Sequence, residues 1–408
     1  MKILMIGFNI QEDIFPLGLS YLKSYALKKH PEVEFKIKEF GFGNRFDYDS
    51  NKNIELRIIS YILLEKPELV VFSSYIWSGE VIKKISRAVK VCNPEIKILL
   101  GGAEARKEDL TEFIDYIIID EGELAFTKLI SHLKDELPLS KVNNLIYHQN
   151  KNKNETISDL DEIPFPYICW DGKKEFEVVR IETVRGCNYN CKYCNYAKKE
   201  YRKFSILYLK KNIKYLFDNF TFKNLTILDA NFNIDKKRMK EILDIIESNV
   251  KGKLKVNFEL KPELIDQGVI DIIKDRTFNI NCELGLQSID KKVIDFCGRP
   301  FSIEKVKNGL KLLNNNKINY KIDLMYGLPK DNFYKFLRSF NFLTKYSNQK
   351  SIPAHHFMVL NNTDFSKCKR YDPNNSSKVI KTETQDCSDL YKTQLFLNLV
   401  NKRKYYHK

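Results

Sequence analysis

The run Thr183-Val-Arg-Gly-Cys-Asn-Tyr-Asn-Cys-Lys-Tyr-Cys194 separates Cys187, Cys191 and Cys194 by three and then two residues. Three thiolates at this spacing suit three irons of a cubane 4Fe-4S cluster and leave the fourth iron without a protein ligand. An electron carrier ordinarily saturates its cluster with four cysteines, so an open iron implies that another molecule binds there. The same residues also admit a zinc knuckle or three unrelated core thiols. Zinc usually takes a fourth Cys or His close by, and the nearest histidines in sequence are His148 and His355.

Working outward, Arg185 and Gly186 precede the first cysteine and Tyr193 precedes the last. With them the run resembles the CxxxCxxC signature of the radical S-adenosylmethionine (SAM) superfamily. The resemblance implies that the open iron chelates the amino and carboxylate groups of SAM. It also implies that an electron from the reduced cluster cleaves SAM to a 5′-deoxyadenosyl radical, with flavodoxin or ferredoxin as the kind of external one-electron reductant required.

The chain has 408 residues, 43% hydrophobic and 30% charged, which fits a globular protein of two or three domains. No run of 18 or more apolar residues occurs, and the short apolar start, residues 1–7, reads as a buried strand and not a signal peptide. Cytoplasmic location without membrane association is the expectation. Nine cysteines, at 92, 169, 187, 191, 194, 282, 297, 368 and 387, form no dense disulfide framework and read as reduced thiols plus one metal motif. The net charge of +15 is spread along the chain. Nucleic-acid binding needs clustered charge on one face, so the charge alone gives no support to such a partner.

Upstream of the cysteines, apolar strand candidates at 2–7, 68–74, 96–100 and 116–119 alternate with helical stretches at 21–29, 54–64, 80–91 and 126–133. This order predicts a parallel sheet covered on both sides, a doubly wound α/β domain over residues 1–135. Ser73, Ser74, Tyr75 and Trp77 follow one strand, and Gly101, Gly102 and Glu104 follow another, so both loops fall at the carboxyl edge where such sheets bind ligands. A plain glycine turn at 101–102 accounts for the second loop equally well. The segments Pro16-Leu-Gly-Leu19, Phe72-Ser-Ser-Tyr-Ile-Trp77, Leu99-Leu-Gly-Gly-Ala-Glu104 and Tyr116-Ile-Ile-Ile-Asp-Glu-Gly-Glu123 together resemble the cobalamin-binding domain of cobalamin-type radical SAM proteins. That resemblance implies that the two loops receive the corrinoid and its nucleotide tail. The Asp-x-His-x-x-Gly signature of other corrinoid proteins is absent, since Phe8-Asn-Ile-Gln-Glu-Asp13 supplies no histidine for cobalt.

Residues 136–176, with a polar run at 150–156 and prolines at 164 and 166, read as a linker. From 177 the alternation restarts. Strand candidates at 178–184, 225–229, 255–260, 280–287, 320–324 and 354–360, with helices at 235–247, 261–274 and 305–313, predict a partial (β/α)6 barrel over 177–360. Residues 361–408 form a polar carboxyl-terminal extension with a helix from 387 or 388 to about 400.

The barrel motifs resemble those of the same family. Asp229-Ala-Asn-Phe-Asn233 is similar to a strand-end variant of its cobalamin-associated group, which gives Asp229 and Asn231 to the SAM amino group; helix capping before Asp235 is the alternative. Glu283-Leu-Gly-Leu-Gln-Ser288 resembles a recurrent strand, which gives Glu283 to the ribose hydroxyls and Gln287 and Ser288 to SAM or its surroundings; a cap near Asp290 is the alternative. Glu259 is a further strand-end carboxylate of the same kind. Asp323-Leu-Met-Tyr-Gly-Leu-Pro329 is similar to a late-barrel motif in which Gly327 lets the backbone approach adenine and Tyr326 lines a substrate cavity. His355 and His356 are adjacent, so on a strand they point to opposite faces and one of them faces the interior as a base or donor.

Taken together, the resemblance implies a cobalamin-dependent radical SAM methyltransferase acting on a carbon of a small metabolite or natural-product intermediate. A non-methylating radical SAM enzyme, catalysing rearrangement, ring contraction or carbon–heteroatom bond formation, and an iron–sulfur electron carrier or sensor are the other readings.

Overall fold

The computed structural model describes residues 1–9, 13–41, 53–148, 150–361, 363–367, 379, 381–382 and 384–402. Residues 10–12 of the loop after the first strand, and most of the irregular stretch expected after 361, including Cys368, lie outside them. The chain forms two compact units, residues 1–179 with 218–221, and residues 180–217 with 222–408.

In the first unit the apolar run Lys2–Asn9 forms β1, buried over six consecutive positions because both faces of its sheet are covered. α1 (Leu17–Leu27), β2 (Glu34–Gly41), α2 (Ile54–Glu65), β3 (Leu69–Ser73), α3 (Gly79–Cys92), β4 (Lys97–Gly101), β5 (Tyr116–Ile118), α4 (Glu123–Leu133), β6 (Leu145–Tyr147) and β7 (Asn150–Lys151) follow. The sheet order is β2-β1-β3-β4-β5-β6-β7. The first five strands pair in parallel and the last two antiparallel, so the sheet is mixed and not wholly parallel as expected. Ile58, Ile62, Ile82, Ile85 and Val89 of α2 and α3 fill the core on one face. Leu19, Ala26, Phe126, Leu129 and Ile130 of α1 and α4 fill the other. Two covered faces make the domain doubly wound.

β2 had no counterpart among the strand candidates. Its residues, EFKIKEFG, bury only every second or later side chain at the sheet edge, so it lacks the continuous apolar run of a central strand. The stretch expected as a linker also departs from expectation. It supplies β6 and β7, and its aromatic residues are buried: Tyr167 stacks on Phe15 at 3.8 Å between ring centres, with Trp170, Phe176 and Phe220 packed edge-on to Phe15. The prolines prevented a helix there but did not prevent packing.

The second sheet contains β8 (Glu175–Ile181), β11 (Thr221–Ile227), β12 (Lys255–Leu260), β13 (Asn279–Gln287), β14 (Tyr320–Tyr326) and β15 (Ala354–His356), in that spatial order. It is a parallel, partly curled half-barrel. The boundary between the units passes through β8. A two-stranded ribbon, β9 (Val184–Arg185) with β10 (Arg202–Lys203), brackets the cysteine loop. α5 (Ile206–Asn219), α6 (Lys236–Glu247), α7 (Gln267–Ile273), α8 (Lys291–Phe296), α9 (Ile303–Asn315) and α10 (Phe333–Tyr346) connect the strands, and α11 (Cys387–Lys402) follows. Register decides what each face carries. Phe258 pairs with Cys282, and Leu260 with Leu284, in buried rows, while Glu259 pairs with Glu283 in the alternate row that meets solvent. No helix among the described residues is long and apolar enough to cross a membrane.

Candidate active site

The cysteine loop is held from both ends. Entering it, Thr183 and Val184 donate their backbone N–H groups to Asp229 Oδ1, at 2.9 and 3.2 Å, and the Thr183 hydroxyl donates to Asp229 Oδ2. Arg238, on the first turn of α6, donates to the carbonyls of Thr183 and Phe204 at 2.8 and 2.7 Å. Gly186 follows with φ +79°, where a side-chain Cβ would lie 2.3 Å from the Glu200 carbonyl oxygen, so only glycine fits between β9 and the return of the loop. Further along, the Lys192 N–H donates to the Cys297 carbonyl at 2.9 Å and the Lys192 carbonyl accepts from the Asp364 N–H at 3.1 Å. The loop is pinned at both ends by backbone pairing.

Cys187, Cys191 and Cys194 form no disulfide, and Cys191 is buried. Among the described residues no three His, Cys, Asp or Glu side chains converge on one metal-ion position. A cubane asks for no single shared position, since each thiolate meets a different iron. Cys187 Sγ accepts hydrogen bonds from the Tyr189 N–H at 3.4 Å and from Asn231 Nδ2 at 3.1 Å. Donors aimed at a sulfur stabilise thiolate charge and tune an iron–sulfur cluster. The donor set therefore fits a three-cysteine 4Fe-4S cluster.

Asp229 and Asn231 are accordingly placed on the loop itself: Asp229 spends its carboxylate on Thr183 and Val184, and Asn231 turns its amide to Cys187. Burial raises Asp229 to about 6 against the opposing pull of its hydrogen bonds. Glu259 and Glu283 lie side by side in register. Partial desolvation, although the side chain still meets solvent, and then the charges of Glu283 and Asp323 raise Glu259 to about 7. Gln287 sits at a β-bulge with φ +70°, its amide over Gly285. Ser288 is buried, with its hydroxyl accepting from the Asp290 N–H at 3.1 Å and lying 3.4 Å from that of Ser339. It is placed as a capping residue of the turn into α8.

His355 and His356 separate to opposite sides. His355 is exposed, with Nε2 3.1 Å from Asp323 Oδ2, whereas His356 stacks on Tyr326 at 4.8 Å and lies 2.6 Å from the Val379 carbonyl oxygen. Tyr326 is buried, and burial raises its phenol above the ordinary range. Gly327, with φ +86°, lies against His356 and Leu390 of α11.

In the first unit both expected loops sit at the carboxyl ends of β3 and β4. Ser74 donates its N–H to the Gly101 carbonyl at 2.6 Å, and its own carbonyl accepts from the buried Glu104 N–H at 3.2 Å. Gly102 has φ +104°, and a Cβ there would lie 2.6 Å from the Ser74 carbonyl oxygen and 3.3 Å from the Ser73 hydroxyl. Tyr75 and Trp77 stack at 4.8 Å with planes 4° apart, and Trp77 donates its indole N–H to the Phe8 carbonyl.

Residues outside the sequence-based set also build the cysteine site. Thr183 and Arg238 hold its entry, while the buried Lys261 and Glu263 and the mostly covered Arg299 lie around Tyr189 and Tyr193. Their signal was charge beside a proline just after an element, in Lys261-Pro-Glu263 after β12 and Arg299-Pro300 after α8, which sequence patterning alone assigns to solvent.

The Radical SAM superfamily model matches residues 181–343, and the B12 binding domain model matches residues 3–130. The cobalamin-dependent radical SAM methyltransferase TokK of Streptomyces tokunonensis is 23% identical over 329 residues, 73% of this chain and 48% of that protein. An uncharacterized methyltransferase of Pyrococcus horikoshii is 25% identical over 335 residues, 72% of this chain and 66% of that protein. The chain thus spans about half to two thirds of the length of these relatives. Among solved structures, the cobalamin-dependent SAM radical enzyme OxsB, with aqua-cobalamin and SAM bound, has a TM-score of 0.74 at 15% identity, covering 97% of this chain and 66% of that one. The radical SAM methyltransferase TsrM from Kitasatospora setae, with cobalamin and a 4Fe-4S cluster bound, gives 0.70 at 14% identity, covering 91% and 79%. With the three-cysteine loop in one unit and a doubly wound sheet with glycine and serine loops in the other, the chain has the architecture of a B12-binding domain followed by a radical SAM domain.

Proposed function

We propose that this chain is a cobalamin-dependent radical SAM methyltransferase that methylates a carbon of a small metabolite or natural-product intermediate, drawing single electrons from an external flavodoxin or ferredoxin. The observation that supports the reading is the pairing, in one chain, of a B12-binding match with a radical SAM match whose residues include Cys187, Cys191 and Cys194 at the CxxxCxxC spacing. Cys187, Cys191 and Cys194 would hold the cluster, and the loops at 73–79 and 101–104 would hold cobalamin. When bound, cluster and SAM supply a 5′-deoxyadenosyl radical and cobalamin a transferable methyl group.

The chain's own part is positioning. Asp229 and Arg238 fix the entry of the cysteine loop, Asn231 donates to Cys187, and Gly102 lets the β3 and β4 loops close on each other. The solvent-facing row of Glu259, Glu283, Asp323 and His355 offers acceptors for ribose hydroxyls, an ammonium or a substrate N–H. With its affinity near neutrality, Glu259 is suited to hold or release a proton. Of the three residues expected to act chemically, His355 remains on this row. Tyr326 and His356 pack against each other and Val379.

The test is anaerobic reconstitution of the chain with iron, sulfide and cobalamin, followed by reduction and addition of methyl-labelled SAM. The expected result is a cluster spectrum altered by SAM, label on the retained corrinoid, and S-adenosylhomocysteine alongside 5′-deoxyadenosine. A cluster signal indifferent to SAM rejects the open iron. Formation of 5′-deoxyadenosine with no labelled corrinoid and no S-adenosylhomocysteine rejects methyl transfer in favour of a non-methylating reaction.

A further inference from the structure

We propose that the trio of Lys261 and Glu263, both buried, and the mostly covered Arg299 sets the reduction potential of the cluster held by the three cysteines; the inference rests on the cluster reading above. Lys261 ends up inside because its backbone is claimed. The Asn233 side chain accepts from the Lys261 N–H at 2.9 Å and donates to the Lys261 carbonyl at 3.0 Å, which fixes the turn after β12 and points the ammonium inward. There Nζ donates to the Pro300 carbonyl at 3.0 Å and lies 4.5 Å from the centre of the Tyr189 ring. Arg299 donates to the Gly285 carbonyl at 2.6 Å and approaches the Tyr193 hydroxyl at 3.5 Å. Tyr189 and Tyr193 stand two residues before and after the buried Cys191, so each cation meets a tyrosine next but one to this cysteine.

Glu263 lies between them, 3.5 Å from Lys261 Nζ and 3.8 Å from Arg299 Nη2. Its side chain is only 5% exposed, and neither carboxylate oxygen has a hydrogen bond. Burying three charges is costly, and apolar residues often stabilise such a position better. A purely structural bolt would also be expected to satisfy the carboxylate fully. Two cations against one anion leave a net positive charge within this trio, next to the segment that carries Cys191.

One-electron reduction takes the cluster core from the 2+ to the 1+ state and adds one negative charge beside this trio. Net positive charge in a poorly solvated site favours that uptake, because the Coulomb energy is weakly screened there. The carboxylate opposes it. The two members of the ion pair therefore act on the potential with opposite sign, which a packing role does not.

The experiment is a redox titration, monitored by electron paramagnetic resonance, of the full chain reconstituted anaerobically with iron and sulfide, without substrate. Lys261→Met is expected to move the midpoint to a more negative value and Glu263→Gln to a more positive one, with Lys261→Arg close to the parent. Shifts in the same direction, or no shift in either variant, overturn the inference, since loosening of the loop affects both alike. Where Lys261→Met assembles no cluster, the near-isosteric Glu263→Gln decides: an unchanged or more negative midpoint overturns the proposal. Absence of a cysteine-dependent cluster in the parent chain is a different result. It removes the cluster reading and this inference with it.

Discussion

Three donors meet one carboxylate at Asp229, and the consequences of removing the charge and removing the acceptor are distinct. Asp229→Ala leaves the N–H groups of Thr183 and Val184 and the Thr183 hydroxyl unpaired in a buried site, at roughly 1–3 kcal/mol for each unsatisfied group. Loss of a few kcal/mol in chemical denaturation, with lower iron content after reconstitution, is the expected outcome. Asp229→Asn keeps an acceptor for both N–H groups, and the Thr183 hydroxyl can turn to accept from the new amide. Because the folded state raises Asp229 from 3.8 to about 6, the native state holds its proton more tightly than the unfolded chain. Its contribution is fully present below about pH 4 and is lost as pH rises through about 6. Asp229→Asn should therefore show a flatter decline in stability across that window, and an unchanged slope would contradict the assignment. The same sign applies to Asp331, which burial raises from 3.8 to about 7 and whose Oδ2 has no hydrogen-bond partner. Asp331→Asn should be more stable than the parent at pH 8, by up to about 4 kcal/mol at 1.4 per pKa unit, with the difference closing towards pH 4. None of these values was readable from sequence, since the Asp229 motif carries the same letters whether it contacts a ligand or the neighbouring strand.

At the scale of elements, the cysteine loop was legible because its constraint is local spacing. The strands of the half-barrel were legible because both their alternation and their helical separators repeat. β2 was not, since an edge strand with only two of its eight residues buried gives only a weak period-two signal. The packed segment at 160–176 was not, since prolines and charges obscure the burial of Leu160, Ile163, Phe165 and Tyr167. Gly186 links motif to geometry: it precedes the first cysteine, and its positive φ sets the ribbon of β9 and β10. Gly186→Ala must accommodate a Cβ within 2.5 Å of two carbonyl oxygens. The expected outcome is a chain with near-parental helix and strand content by circular dichroism whose iron retention falls several-fold. Parental iron content would show that the loop tolerates a different path.

For the molecule as a whole, sequence carried the two α/β units and their order, because each announces itself through its own strand periodicity and its own loop motif. The boundary near 179 was less accessible, since β8 is one continuous strand with no punctuation where one unit gives way to the next. The residues assigned to the two cofactors divide along the same line. Cys187, Cys191 and Cys194, proposed to hold the cluster, all lie in the second unit, and every residue of the β3 and β4 loops lies in the first. Loss of one cofactor should therefore be separable from loss of the other. Cys187, Cys191 and Cys194 replaced together by Ala take from the Tyr189 N–H and the Asn231 amide their acceptor on Cys187 but leave the pairing through Thr183, Lys192 and their partners in place. That variant should lose iron entirely while retaining corrinoid. Gly102→Ala drives a Cβ into the Ser74 backbone at a positive φ and should have the converse effect, several-fold weaker retention of added cobalamin with iron content unchanged. Iron analysis and corrinoid absorbance on the same desalted samples decide the matter, and simultaneous loss of both groups in either variant would mean that the two sites depend on each other for their integrity.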